Sequence, residues 1–276
     1  MNDTRVDRNV VASIPAGPDD AEVTRRNATH QNVAAAVKAL YPEAQVEVFG
    51  SGATGLALKD ADIDLVALGV GPQAAAKGGG FSKADQAEVV RVLRKINNML
   101  QRNRIASKSF VIPAKVPIIK MDVGEHAVDL SVGAANGLLA VGWIRRQVAD
   151  LAALRPLVLV LKCLLKTHHL DDASTGGCGG YLLVSLVVSH LRQCGASGSS
   201  PNPNTGALLL GFLQRFGHDF DYGRVAVAAG RASGVLRAKD LVVPGRRPML
   251  LAEDPQVGAA VGFVWGQLGD ELGMHF

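Results

Sequence analysis

The chain has 276 residues, 48% of them hydrophobic, enough to bury a sizeable core in one large domain or two small ones. A net charge of +4 is compatible with an anionic partner but too small to demand one, and aromatics at 5% leave few platforms for stacking bases. Cys163, Cys178 and Cys194 show no paired spacing, which argues against a disulfide framework or a zinc site and for a reducing compartment.

Residues 1–20 are polar and contain acids, with no apolar segment of the secretory kind, so a disordered tail is expected there. A helix follows over 21–40, with Val23, Val33, Val37 and Leu40 on one face, and Tyr41-Pro42 stops it. Next comes Val46 to Gly69, VEVFGSGATGLALKDADIDLVALG. It reads as a strand, a break at Gly50-Ser51, a turn rich in Gly and Thr, and a second extended run. Side chains two apart on a strand share a face, so Asp62 and Asp64 project together. Two carboxylates held that close repel each other unless a cation stands between them, and a pair of hard divalent ions with phosphate oxygens suits the arrangement. Gly50 lets backbone approach a phosphate, and Ser51 adds an N–H and a hydroxyl. An Asp-x-Asp also occurs in turns, in metal-dependent glycosyltransferases and as plain solvation of a strand end.

An Ala/Gly-rich loop spans Gly69 to Gly80, followed by a helix from Lys83 to Gln101 that turns Val89, Val92, Leu93, Ile96 and Leu100 inward. Three extended segments are expected at Ile105 to Ile112, Val116 to Asp122 and His126 to Val132. Asp129, between Val128 and Leu130, is either a strand-end cap or the third carboxylate that a two-metal site needs beyond the first pair. From Asn136 onward the pattern is helical. Lys162 and Lys166, four apart, share a helix face, as a triphosphate clamp or as two snorkelling surface lysines. The apolar run YLLVSLVVSHL is too short to span a bilayer. A Gly/Ser/Pro/Asn loop from Gly195 to Thr205 precedes a last helix and turn, and the region from Ala228 to Arg247 reads as loop with short strands.

In combination, FGSGATGLALKDADIDLV, VPIIK ahead of Asp129-Leu130-Ser131-Val132, the LK..LK spacing, TGGCGGY, NTGALLLGFLQRFGHDFDYGRV and Glu253-Asp254-Pro255 resemble the Trf-like poly(A) polymerases and their terminal uridylyltransferase relatives. These belong to the DNA polymerase β-like nucleotidyltransferases, and the resemblance runs from about Ala21 to Val264. It implies an α+β chain: a small mixed-sheet catalytic domain over 44–135, and a helical domain from 21–43 and 136–276 that closes over the nucleotide. The implied reaction is template-independent addition of adenylates from ATP to an RNA 3′ end with Mg²⁺ or Mn²⁺. The open alternatives are a terminal uridylyltransferase and a non-catalytic scaffold subunit.

By the same resemblance Asp62, Asp64 and Asp129 hold the metals, and Gly50, Ser51, Lys162 and Lys166 hold the phosphates. Asn136 contacts the ribose or merely caps its helix. Tyr222 stacks on the base, and Glu253 and Asp254 belong to the base-recognition loop. There are two departures. Gly180 stands where the family has a phosphate-contacting Ser, and the loop after Pro255 has Ala259, Ala260 and Phe263 in the region of the family's Asn or His and Arg. With no RNA-binding module in view, an RNA-binding partner protein is expected, in a nuclear or other intracellular setting, with no membrane and no secretion.

Overall fold

The structure, a computed structural model, describes residues 17–74, 81–173, 177–196 and 204–220, with the backbone of two short strands at 225–228 and 234–237. It forms two compact units whose sequence boundary lies between Arg145 and Arg146.

The first unit, residues 16–145, opens with α1 (Asp20–Leu40), capped where the Asp19 carboxylate accepts from the Glu22 N–H at 2.7 Å. Pro42 cannot continue the helix, which ends at Leu40 with Tyr41 as its cap. Its inward stripe is Glu22, Thr29, Val33, Ala36 and Val37. Val23 and Leu40, expected inside, are 45% and 39% exposed. The stripe starts on Glu22 because that end of α1 packs on polar groups, which shifts the buried face one position away from Val23. After α1 come β1 (Gln45–Val48), α2 (Gly50–Thr54), β2 (Ile63–Leu68), α3 (Lys83–Arg102), β3 (Ser107–Ile112), β4 (Ile118–Val123), β5 (His126–Val132) and α4 (Asn136–Asp150). The expected Gly/Thr turn is the short helix α2, ended by Gly55 in the left-handed region at φ 75°. A reciprocal capping box between Ser82 and Asp85 starts α3, whose buried face is the expected one with Asn97 added.

The five strands form one sheet in the order β1-β2-β5-β4-β3. Only β2 and β5 run parallel, and the other neighbours are antiparallel. One face carries Ile63, Leu65, Ala67, Ile119, Met121, Val128, Leu130 and Val132, packed against Val33 and Val37 of α1 and Val89, Leu93, Ile96 and Leu100 of α3. Strand alternation then sends Asp64, Lys120 and Asp129 to the opposite face. The covered face thus positions the polar one. α1 helps to build this core and lies in the same compact unit as the sheet.

The second unit holds α5 (Leu154–Thr167), α6 (Gly180–Gln193), α7 (Thr205–Leu213), a π-helical turn (Gln214–Asp219), and the hairpin of β6 (Val225–Ala228) with β7 (Gly234–Arg237). Pro156 sits in the first turn of α5, where its missing N–H costs nothing. Leu154, Leu157, Val158, Leu161 and Leu165 recur at helical spacing and are buried, as are Leu183, Val184, Val187, Val188 and Leu191 of α6. Phe212 and Phe216 pack with their ring planes tilted by 53° and centroids 4.9 Å apart, and His190 meets Phe212 edge-on at 5.7 Å. Among the described residues no helix is long and apolar enough to cross a membrane, and all three cysteines are free thiols.

Candidate active site

The centre of the site is a row running across the sheet. Asp64 of β2 pairs with Asp129 of β5, which pairs with Lys120 of β4, which pairs with Phe110 of β3. Partners in register share a face, so two carboxylates and an ammonium stand side by side at the strand spacing of about 5 Å. Asp129 is therefore a mid-strand residue and not a strand-end cap. Its carboxyl lies above the usual carboxylate range because burial disfavours the charge; Lys120 pulls it down and the charge of Asp62 pushes it up. Lys120 Nζ lies 3.5 Å from Asp129 Oδ2. The sequence signal for Lys120, which ends the VPIIK motif, is the parity of β4 against β5.

Asp62 precedes the first paired residue of β2, Ile63, and is exposed. The second extended run, expected from Asp60, starts three residues later at Ile63 because Leu58 to Ala61 form a turn, closed by the Ala61 N–H donating to the Leu58 carbonyl at 3.1 Å. What fixes that turn is a side chain from α1. Arg26 Nη2 donates to the carbonyls of Ala61 at 2.5 Å and Lys59 at 3.1 Å.

Gly50 adjoins Asp64 directly. Its φ is +62°, and a Cβ there would lie 2.1 Å from Asp64 Oδ2, so only glycine leaves that carboxylate where it is. The Phe49 N–H donates to the Asp64 carbonyl at 3.0 Å, tying the entry of α2 to β2. The ring of Phe49 lies over Gly137, where an added Cβ would come within 2.4 Å of Phe49 Cδ2. Arg145 Nε donates to the Ala53 carbonyl at 2.7 Å, so α4 holds α2 at two points. Asn136, exposed, is the first residue of α4 and sits next to that contact. Gly50, Ser51, Asp62, Asp64, Asp129 and Asn136 thus lie on neighbouring segments of one unit.

Lys162 and Lys166 are on α5 in the second unit. A Cβ on Gly180 would lie 3.7 Å from Lys162 Cε, ordinary contact, so the position where the family has Ser adjoins the first of the two lysines. Cys178, just ahead, is buried, which pushes its thiol up to about 12. Tyr222, Glu253 and Asp254 lie outside the described residues.

Among the described residues, ligand-type atoms of three His, Cys, Asp or Glu side chains come within 4.8 Å of one another at Glu22, Glu125 and His126. That group is an ion-pair network and not a metal centre. Glu22 already accepts from Arg25 Nη2 and Arg26 Nε, both at 2.7 Å, and His126 Nδ1 lies 2.8 Å from Thr29 Oγ1. Burial raises the Glu22 carboxyl, but the guanidiniums of Arg26 and Arg25 bring it below its ordinary value overall.

Residues 14–144 match the family model described as "Poly(A) RNA polymerase, mitochondrial-like, central palm domain", a span close to the sheet-bearing unit. Poly(A) RNA polymerase protein 2 of Saccharomyces cerevisiae is 33% identical over 248 residues, which are 86% of this chain and 40% of that protein. A Drosophila melanogaster relative named as an inactive poly(A) RNA polymerase protein, Trf4-2, is 28% identical over 79% of this chain and 53% of its own length. Among solved structures, the polymerase core of TRAMP, an RNA surveillance complex, matches with a TM-score of 0.69 at 28% identity, covering 95% of this chain and 81% of that one. The chain therefore spans less than half the length of the yeast polymerase that it matches. With the five-stranded sheet, the Asp64/Asp129 register and these matches in agreement, residues 14–144 belong to the poly(A) RNA polymerase central palm family, and the chain as a whole is similar to the poly(A) RNA polymerases.

Proposed function

We propose that this chain transfers adenylates from ATP to an RNA 3′ end without a template. The observation that carries the proposal is the register of Asp64 against Asp129, with Asp62 two residues ahead of Asp64, in a chain whose relatives are named poly(A) RNA polymerases. The donor set fits Mg²⁺ or Mn²⁺. It offers hard carboxylate oxygens, it contains a carboxyl held up by burial and a neighbouring negative charge, and an ammonium is already drawn to Asp129. Asp62 and Asp64 would hold both ions and Asp129 would complete the site of the first. Bound there, the ions would lower the pKa of the attacking 3′-hydroxyl and neutralise charge on the triphosphate as pyrophosphate leaves in line.

The other roles rest on the family resemblance. Gly50 and Ser51 hold a phosphate, Ser51 through an N–H and a hydroxyl, and Asn136 orients the ribose. Lys162 and Lys166 balance the β- and γ-phosphates. Tyr222 stacks on the base, with Glu253 and Asp254 in the loop that reads it. The TRAMP neighbour is the polymerase core of an RNA surveillance complex, which supports a partner protein here as well, and the RNA-binding role of that partner is part of the same proposal. A nuclear setting belongs to the same proposal.

The test is extension of a 5′-labelled oligo(A) primer with each of the four triphosphates in turn, beside the same primer ending in a 3′-deoxy nucleotide. A ladder with ATP that is absent from the 3′-deoxy primer is the expected result; no extension with any triphosphate overturns the proposal. That outcome favours a non-catalytic scaffold, which Gly180 in place of Ser and the inactive fly relative support.

A further inference from the structure

We infer that Arg26, on the helix behind the sheet, is a positioning residue for Asp62. The inference rests on the two-metal reading of Asp62 given above.

Asp62 carries the most exposed of the three carboxylates and the one whose backbone the sheet does not pair: the β2–β5 ladder begins at Ile63. Its approach is held by the Ala61-to-Leu58 turn bond and by Arg26, whose Nη2 takes the carbonyls of Lys59 and Ala61 together. A single nitrogen can reach two carbonyls two residues apart only while the chain between them stays curled, so the guanidinium acts as a template for the turn that ends at Asp62. Its other edge is anchored, with Nε donating to Glu22 Oε1 at 2.7 Å and side chains only 12% and 8% exposed. Glu22 is held in turn by Arg25 and by His126, whose Nε2 lies 3.2 Å from Glu22 Oε1. His126 is the first residue of β5, three before Asp129. One buried network therefore ends on both segments that carry the carboxylates. A buried ion pair adds little net stability against an apolar replacement. What this one supplies is geometry, through a planar fork that a lysine cannot reproduce, since an ammonium has no second edge to keep on Glu22.

Four forms of the full chain test this: wild type, Arg26→Lys, Asp62→Ala and the double variant Asp62→Ala,Arg26→Lys. Mn²⁺ binding is measured calorimetrically without nucleotide, and extension kinetics are followed in parallel. Arg26→Lys should keep its melting temperature within a few degrees, weaken Mn²⁺ about tenfold, and lower kcat about 10- to 100-fold with the KM for ATP within twofold, as expected for about 1 Å of ligand misplacement. In the Asp62→Ala background the same change should leave Mn²⁺ affinity where it was, because the effect passes through Asp62. Wild-type Mn²⁺ affinity and kcat in Arg26→Lys, or an equal further loss in the Asp62→Ala background, overturns the inference. Should Arg26→Lys fail to fold, Glu22→Gln,Arg26→Met removes both charges at once, and wild-type Mn²⁺ affinity in that variant is equally fatal. If Asp62→Ala itself leaves Mn²⁺ binding and extension intact, the two-metal reading falls and the positioning role falls with it.

Discussion

Gly50→Ala separates the geometry of the site from the stability of the fold. An alanine at φ +62° carries the left-handed strain, about 1–2 kcal/mol. Its Cβ would also arrive 2.1 Å from Asp64 Oδ2, where contacts under 3.0 Å are not tolerated, so the carboxylate must retreat by about 1 Å. A shift of that size at a catalytic group costs on the order of 100-fold in rate. Two neighbours in the same segment act as controls. Gly55 has a φ of +75° with nothing within 4 Å, so Gly55→Ala carries the strain without the collision. Gly52 carries neither, its nearest atom being Val48 Cγ1 at 3.7 Å. In primer extension with thermal melts alongside, Gly50→Ala and Gly55→Ala should both lose a few degrees, but only Gly50→Ala should lose about 100-fold in kcat. Gly52→Ala should resemble the wild type. The reasoning fails if Gly50→Ala keeps its rate within threefold, or if Gly55→Ala loses as much as Gly50→Ala.

Asp129→Asn tests the buried charge. Burial first, with Lys120 pulling down and Asp62 pushing up, leaves the folded carboxyl above its ordinary value, so the folded chain binds its proton more tightly than the unfolded one. Stability from this group therefore falls as pH rises from the unfolded carboxylate pKa, about 3.9, through the raised folded value. The asparagine variant should melt no lower than wild type at pH 7, with the difference shrinking below pH 4; a variant that melts well below wild type at pH 7 contradicts that sign. In the second unit, Lys162→Ala should raise the KM for ATP about 10- to 100-fold, at about 1.5–3 kcal/mol for a charge-assisted contact. Gly180→Ser, beside the same lysine, should lower it a few-fold, whereas a loss of RNA binding with ATP affinity intact would mark an RNA-facing patch. In competition on an oligo(A) primer, ATP should be preferred over UTP by about 10-fold, since the loop after Pro255 offers few polar groups to reject the wrong base. A strong preference for UTP would place the chain with the uridylyltransferases.

What the sequence disclosed depended on how local each signal was. The face of α3 and the bounds of β5 could be read directly, because periodicity within one element decides them. The pairing of Asp64 with Asp129 joins strands that 57 intervening residues separate, and alternation alone supplied only the parity of each aspartate, so the family motifs had to suggest the partnership. The α1 stripe was misjudged at Val23 because apolar periodicity does not count a glutamate as an inward residue. Glu22 is buried only because Arg25, Arg26 and His126 satisfy it, and His126 lies 104 residues away. The role of Gly50 was half legible. A glycine after a strand suggested close approach to a phosphate, and the structure adds that its nearest neighbour is the Asp64 carboxylate.

The central claim is that Asp62 and Asp64 carry nucleotidyl transfer. It is tested most directly by incubating wild type and Asp62→Ala,Asp64→Ala with a labelled oligo(A) primer, Mg²⁺ and ATP, with melting curves of both. Wild type should lengthen the primer, and the double variant should add nothing while melting at or slightly above the wild-type temperature, since it loses charge repulsion and no apolar core. A double variant that still extends the primer would contradict the account.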